Sequence, residues 1–464
     1  MRRPLGMLCL ALVAWGWNAV SAGQGASAAD MASCEFRSVR GILLVAREAS
    51  SYTLDIRSRG EDILVDDRSC GATVRNTDSI RVFGRTRADA VRMQFDHGGF
   101  APGRTPEPDG TSEIEILLMK GDRRGMDTLY ASMTKDDDTF AARPDGVDLN
   151  GDGDTDLEVR GRVHLGGLST LGGSDTVTMA VDEASGDSLP FSTVDAIELG
   201  WGADEATFIG TAIGGDPVHV WGAIGDDSIR ADTGEWTFIG GNGEDALTGG
   251  SGEGSLDGGN GDDLLAGGSG DDEIVGGAGD DVLSGGAGDD VLGEKAGEDV
   301  IRGDAGADIV RQSDTREQPD SFSGGSGVDR LFFNSESERN LWVSFDGSAN
   351  DGARGEHDNV AADFEDVLTG YGNDVLVGDD HGQRLAGNKG NDTIIGGGAR
   401  DAIYGMLGRD EITGGPRRDI LDGGKGDDVF HTADGTLDRV WGGNGEDTAV
   451  DRDTIDHLHQ IEAF

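Results

Sequence analysis
Lysine, cysteine, proline and aromatic side chains are all scarce in this chain of 464 residues, with Pro at 9, Cys at 3 and aromatics at 6%. Arg supplies 33 of the 38 basic residues and Lys only 5, a bias of G+C-rich bacterial genomes. The basic residues face 89 acidic ones, so the formal net charge is −51. Such a polyanion repels phosphate, which excludes an electrostatic nucleic-acid binder. It is equally ill-suited to an anionic membrane surface, and it attracts cations. Beyond the N-terminus no apolar run is long enough to span a bilayer. Gly is abundant instead, at 80 residues. Without a Gly-X-Y triplet this excludes collagen, and each interior Gly costs a helix about 1 kcal/mol relative to Ala. High charge with few aromatics is also the composition of disorder, so the spacing of the apolar residues must decide. The length allows two to four domains.

Arg2 and Arg3 precede a broken apolar run and then small residues at Ala22 and Ala26 to Ala28. This is the layout of a secretory signal peptide. Residues 1–29 are read as that signal, cut after Ala22 or near residues 28–29, with no transmembrane anchor left after cleavage. Removing it removes Cys9. Cys34 and Cys70 remain as an even pair in an oxidising compartment and are expected to form a disulfide.

Residues 222–311 divide without a gap into ten nonapeptides, such as GGNGEDALT at 240–248 and GGAGDDVLS at 276–284. Position four is Gly throughout and position eight is always apolar, from Ile229 to Val310. Position six is Asp except at Trp236 and Gly254. Residues 369–431 form seven more nonapeptides, and single copies stand at 324–332 and 442–450. One apolar residue in nine fits neither an amphipathic helix nor an ordinary alternating strand. It fits a coil with one short strand per repeat, its apolar side chain pointing inward. Two repeats make one turn, so the expected fold is all-β, a parallel β-helix or β-roll preceded by an irregular β-rich region. The expected divisions are 30–200 for that region, 201–311 for the first repeat block, 312–368 for a spacer with one isolated repeat, 369–450 for the second block and 451–464 for a C-terminal cap.

These nonapeptides resemble the RTX, or hemolysin-type, calcium-binding repeat, GGxGxDxUx. The resemblance covers roughly 40% of the chain. It implies a bacterial, secreted protein in which position-six carboxylates and backbone carbonyls of the Gly-rich turns clasp several Ca²⁺ ions between stacked turns. Physically, rows of Asp repel one another, and a hard cation with six to eight oxygen ligands neutralises them. Its binding free energy then becomes folding free energy. The metal ligands expected on this basis are Asp227, Asp245, Asp263, Asp272, Asp281, Asp290, Asp299, Asp308, Asp329, Asp374, Asp392, Asp410, Asp428 and Asp447.

Asp residues 18 apart fall on the same edge. Trp236 and Gly254 leave one edge of the first block without carboxylates at its N-terminal end. In the second block one edge is complete, whereas the other has His381, Ala399 and Arg417 at position four and Gln383, Asp401 and Asp419 at position six. That edge is expected to have lost most calcium sites, with Arg384, Arg400 and Arg418 partly replacing the cation charge. Elsewhere, DLNGDGDTDLEV at 148–159 gives Asp148, Asn150, Asp152 and Asp156 the spacing of a calcium loop. In the spacer, Asp346, Asp351, Asp358 and Asp363 offer oxygen ligands for a further ion. His457 and His459 are expected at the surface of the cap.

The sequence contains no H-E-x-x-H, G-x-S-x-G or P-loop motif. The main reading is a secreted calcium-binding protein of surface-structural or binding role. The alternatives are an extracellular polysaccharide-acting enzyme with its site in residues 30–200, and a calcium-dependent adhesin. The expected partners are calcium ions and a cell envelope or polysaccharide.

Overall fold
A computed structural model describes the strands between residues 33 and 194 with their intervening turn at 173–175, and residues 196–209, 217–313, 318–333 and 338–462. Residues 1–29, read above as a signal, lie outside the described residues. Among the described residues all regular structure is β-strand, and no helix is long and apolar enough to cross a membrane. The chain winds into a parallel β-solenoid of about 13 turns.

One sheet, called here the spine, runs the whole length. In the repeats its strands include Trp236–Asn242, Gly254–Asn260 and Glu273–Ala278. Its register advances by one turn of 18 residues, with Phe238 beside Leu256 and Leu256 beside Ile274. The same parallel ladder continues through Arg330–Phe333 and Asp366–Leu368 to His457–His459. The opposite side is built in two pieces. An N-terminal wall runs through Ser228–Ala231, Ala246–Thr248 and Leu264–Ser269 and ends at Asn359–Val360. A C-terminal wall starts afresh at Leu341–Ser344 and runs through Val375–Val377 to Thr448–Asp451.

The nine-residue period explains this geometry. Each short strand presents one side chain inward, and position eight takes that place. Its residues, from Ile229 to Val310 in the first block and from Leu376 to Phe430 in the second, are all 0% exposed. They stack along the axis into one core, each large side chain contributing roughly 1.5–3 kcal/mol on burial. The turns stack just as closely. Gly243 has φ +143°, and a Cβ there would strike the Gly225 carbonyl of the preceding turn. Only Gly combines that backbone angle with that approach.

The region before the repeats follows the same winding. Thr53–Arg59, Ala90–Gln94, Thr128–Ser132 and Val163–Ser169 form a parallel ladder that leads into the spine. Thr53 pairs with Ala90 and Ala90 with Thr128, about twice the separation found in the repeats. The ladder is that of a β-helix, with antiparallel pairs at Asp62–Val65 beside it. Its turns are longer, so its sequence shows no short period.

Candidate metal centre
Each position-six Asp sits at the corner where the chain enters a strand. Its Oδ1 accepts the backbone N–H of the corresponding residue one turn earlier, as Asp281 does from Asp263 at 2.9 Å and Asp392 from Asp374 at 2.8 Å. The repetition of this bond builds three columns. The first leads into the N-terminal wall through Asp227, Asp245, Asp263, Asp281 and Asp299. It also extends beyond the repeats, to Asp204 and Asp175 on one side and to Asp320 and Asp358 on the other. The second column leads into the spine through Asp272, Asp290, Asp308 and Asp329. Asp329 donates its own N–H to Glu365. The third leads into the C-terminal wall through Asp374, Asp392, Asp410, Asp428 and Asp447, whose N–H is taken by Glu462 of the tail.

The second oxygen of these carboxyls has a different fate. Oδ2 of Asp245, Asp263, Asp281, Asp290, Asp392 and Asp428 is buried and meets no hydrogen-bond donor. The same holds for Asp227, Asp272, Asp308, Asp329, Asp374, Asp410 and Asp447. The residues themselves are at most 2% exposed. Burying a carboxylate with one oxygen unpaired is costly, and burial pushes Asp281 up to about 7 and Asp392 up to about 8. Backbone N–H groups oppose that rise, and neighbouring Asp charges add to it.

Most of these oxygens pack against the first Gly of their repeat. A Cβ built on Gly258 would overlap Asp263 Oδ2 and lie 2.6 Å from the Gly276 carbonyl of the next turn. Gly267 faces Asp272 Oδ2 and the Gly285 carbonyl in the same way. Where a repeat opens on Gly, the missing side chain lets a carboxylate, and at most of these positions a carbonyl of the next turn, pack directly against the backbone. The donors are all oxygen, which suits a hard divalent cation and not a soft metal. Trp236 departs from this pattern: its ring lies against Gly249 and Gly254 and stacks on Phe238 at 5.2 Å.

A second ladder, at position five, lies outside the columns and runs the other way. Asp262 Oδ1 accepts from Asp280 N–H one turn later, and Asp280 from Glu298, at 2.9 and 2.8 Å. The two Asp of a repeat thus take hydrogen bonds from opposite directions along the axis.

The uneven edge of the second block keeps its carboxyls. Asp401, Asp419 and Asp438 continue the spine column below Gln383, and Oδ2 of each has no donor. Arg384 does not replace a cation there. Its guanidinium pairs with Asp366 at 2.9 Å and lies 4.8 Å over the Tyr404 ring. Among the described residues no ion pair joins Arg400 or Arg418 to these Asp. Of the spacer quartet, Asp351 and Asp358 bridge each other's backbones, whereas Asp346 binds the Ser348 N–H and Asp363 the N–H groups of Gly324 and Gly325. Asp148 ends the strand Gly146–Asp148, and Cys34 and Cys70 lie in Ser33–Arg37 and Arg68–Thr73. The side chains of these three, and Asn150, Asp152 and Asp156 altogether, lie outside the described residues.

The winding and the columns define a repeat solenoid whose corners are lined with buried carboxylates and backbone carbonyls. The model of the RTX calcium-binding nonapeptide repeat matches residues 221–256, 257–292, 295–311, 377–412, 404–436 and 413–449, so the chain carries RTX calcium-binding repeats. No curated protein matches it.

Proposed function
We propose that this is a secreted calcium-binding protein whose solenoid folds when external calcium enters the corner columns, and whose role is surface-structural or binding. One observation carries the reading: the row of buried Asp Oδ2 atoms without donors, most of them packed against the first Gly of their repeat and close to a turn carbonyl. Position-six Asp and turn carbonyls hold the ions, and the bound charge offsets the carboxylate repulsion. Where calcium is scarce, the columns repel and the chain stays open. Where it is millimolar, the chain winds.

The test is a calcium titration of the EDTA-stripped mature chain, followed by circular dichroism and hydrodynamic radius. Cooperative compaction with gain of β-structure is the expected result. A chain already compact and indifferent to calcium would sink the reading.

For the binding role, an acidic polysaccharide bridged by bound calcium fits the outer face of the spine. There Arg384 covers Tyr404, and Trp441 stacks on His459 at 5.5 Å with Arg439 exposed on the same strand. Flat rings suit sugar faces, and guanidinium groups suit carboxylates. Trp441→Ala is expected to weaken retention on an acidic-polysaccharide column without changing the calcium response.

A further inference from the structure
Near its C-terminal end the spine column departs from the repeat pattern. Residues 432–441, TADGTLDRVW, are ten and not nine, so Asp438 comes one place late. The turn absorbs the extra residue. Asp438 still enters the column, its Oδ1 accepting the Asp419 N–H at 2.9 Å. The remodelled turn also brings in a third carboxylate. Carboxyl oxygens of Asp419, Asp434 and Asp438 all lie within 4.8 Å of one another. Asp419 and Asp438 are 0% exposed, and each keeps an Oδ2 that meets no donor. Asp434 is held from its own turn, accepting the Thr436 N–H and hydroxyl at 2.7 Å.

Three carboxylates so close, two of them closed to water, repel strongly unless a cation sits among them. We propose that Asp419, Asp434 and Asp438 form a calcium site of their own, in which Asp434 supplies from the turn a charged ligand that the repeat pattern does not contain. The assignment rests on the calcium reading above. It runs against the expectation that this edge has lost most calcium sites. In the regular turns two successive Asp share a corner, whereas here three charges converge, so this site binds calcium more tightly than the regular ones.

Its surroundings tie it to the chain end. The Gly435 N–H donates to Asp453. The Thr432 hydroxyl donates to Asp456 Oδ2 at 2.8 Å, and the Asp438 N–H to Asp456 Oδ1 at 3.1 Å. An ion among the three Asp therefore fastens the terminal segment to the last turns.

The experiment counts calcium ions per full chain at saturation, by equilibrium dialysis and elemental analysis, for wild type, Asp434→Asn and Asp434→Glu. Asp434→Asn is expected to bind one ion fewer and to lose the tightest step of the titration, with unchanged hydrodynamic radius. Asp380→Asn, an exposed carboxylate elsewhere on the same edge, is expected to change neither. The same ion count and the same tightest step in Asp434→Asn overturn the site. If Asp434→Asn fails to compact, Asp434→Glu decides: the full ion count there upholds ligation, and failure of both variants overturns it. A wild-type chain that binds no calcium would instead remove the reading on which the site rests.

Discussion

The two repeat blocks treat positions five and six differently. In the first block the outer ladder is acidic, carried by Asp226, Asp262, Asp271, Asp280 and Asp289. In the second, Asn373 and Asn391, like Asn340 in the spacer before it, make the same bond at 2.7–2.9 Å, and only Asp427 near its end keeps a carboxylate there. An amide oxygen accepts an N–H as well as a carboxylate does, so position five asks only for an acceptor. Position six makes no such exchange in the complete column of the second block, where Asp374, Asp392, Asp410, Asp428 and Asp447 all remain acidic. Gln383, on the other edge, turns its Oε1 to the Asp379 N–H instead. The hydrogen bond alone does not need the charge. The charge at position six serves the second oxygen, the one shut away from water.

Calcium removal should therefore have the largest effect, and it should strike both blocks. Chelation at pH 7.5 is expected to abolish β-structure and expose both blocks to proteolysis. A second block that stays protected would break the equivalence of the columns.

Acidification comes next, with an unusual sign. Asp281 and Asp392 titrate in the metal-free coil at about 7 and about 8, above the ordinary 3.8. A folded coil that holds more protons than the open chain loses stability as pH rises. The protonated columns thus favour folding fully below about 4, and that contribution is lost as pH climbs through about 7 and 8. The chelated chain is expected to regain β-structure between pH 8 and pH 5, while calcium affinity falls over the same interval. Circular dichroism in pH steps checks this, and a chelated chain still unfolded at pH 5 contradicts it.

Core substitutions are smaller and should be alike in the two blocks. Leu283→Ala and Ile403→Ala, both at fully buried positions, are expected to cost about 2–5 kcal/mol in urea melts at saturating calcium. Leu264→Ala, at a site 56% exposed, should stay within about 0.5 kcal/mol. The finest comparison is between neighbours. Asp281→Asn should weaken the calcium-loaded chain by about 1–3 kcal/mol yet ease the winding of the chelated one, because it removes a buried charge. Asp280→Asn, next to it on the outer ladder, should move either state by at most about 0.5 kcal/mol.

Much of this was legible in the sequence. A period of nine with one apolar residue predicts the winding, and position eight forms the core from Ile229 to Phe430. The columns were legible only where the period is unbroken. Asp299 hands its N–H to Asp320 across 21 residues, Asp320 to Asp358 across 38, and Asp329 to Glu365 across 36. Inserted loops hide those steps from any fixed spacing. Asp438 escaped notice for the same reason, displaced by one added residue. The replacement of one wall by another near Leu341–Ser344 has no signature in the sequence, because both walls use the same short strands.

The unbroken spine has a mechanical meaning. Its inter-strand bonds lie along the long axis, and each turn holds only its two neighbours. A pull on the two ends loads these bonds in series, so the rod yields from its extremities one coil at a time and not all at once. Each released coil of 18 residues pays out about 60 Å of slack. An anchored molecule of this build would behave as a tether that lengthens in steps under strain and rewinds when the tension falls, with the local ion supply setting the force at which each step gives way.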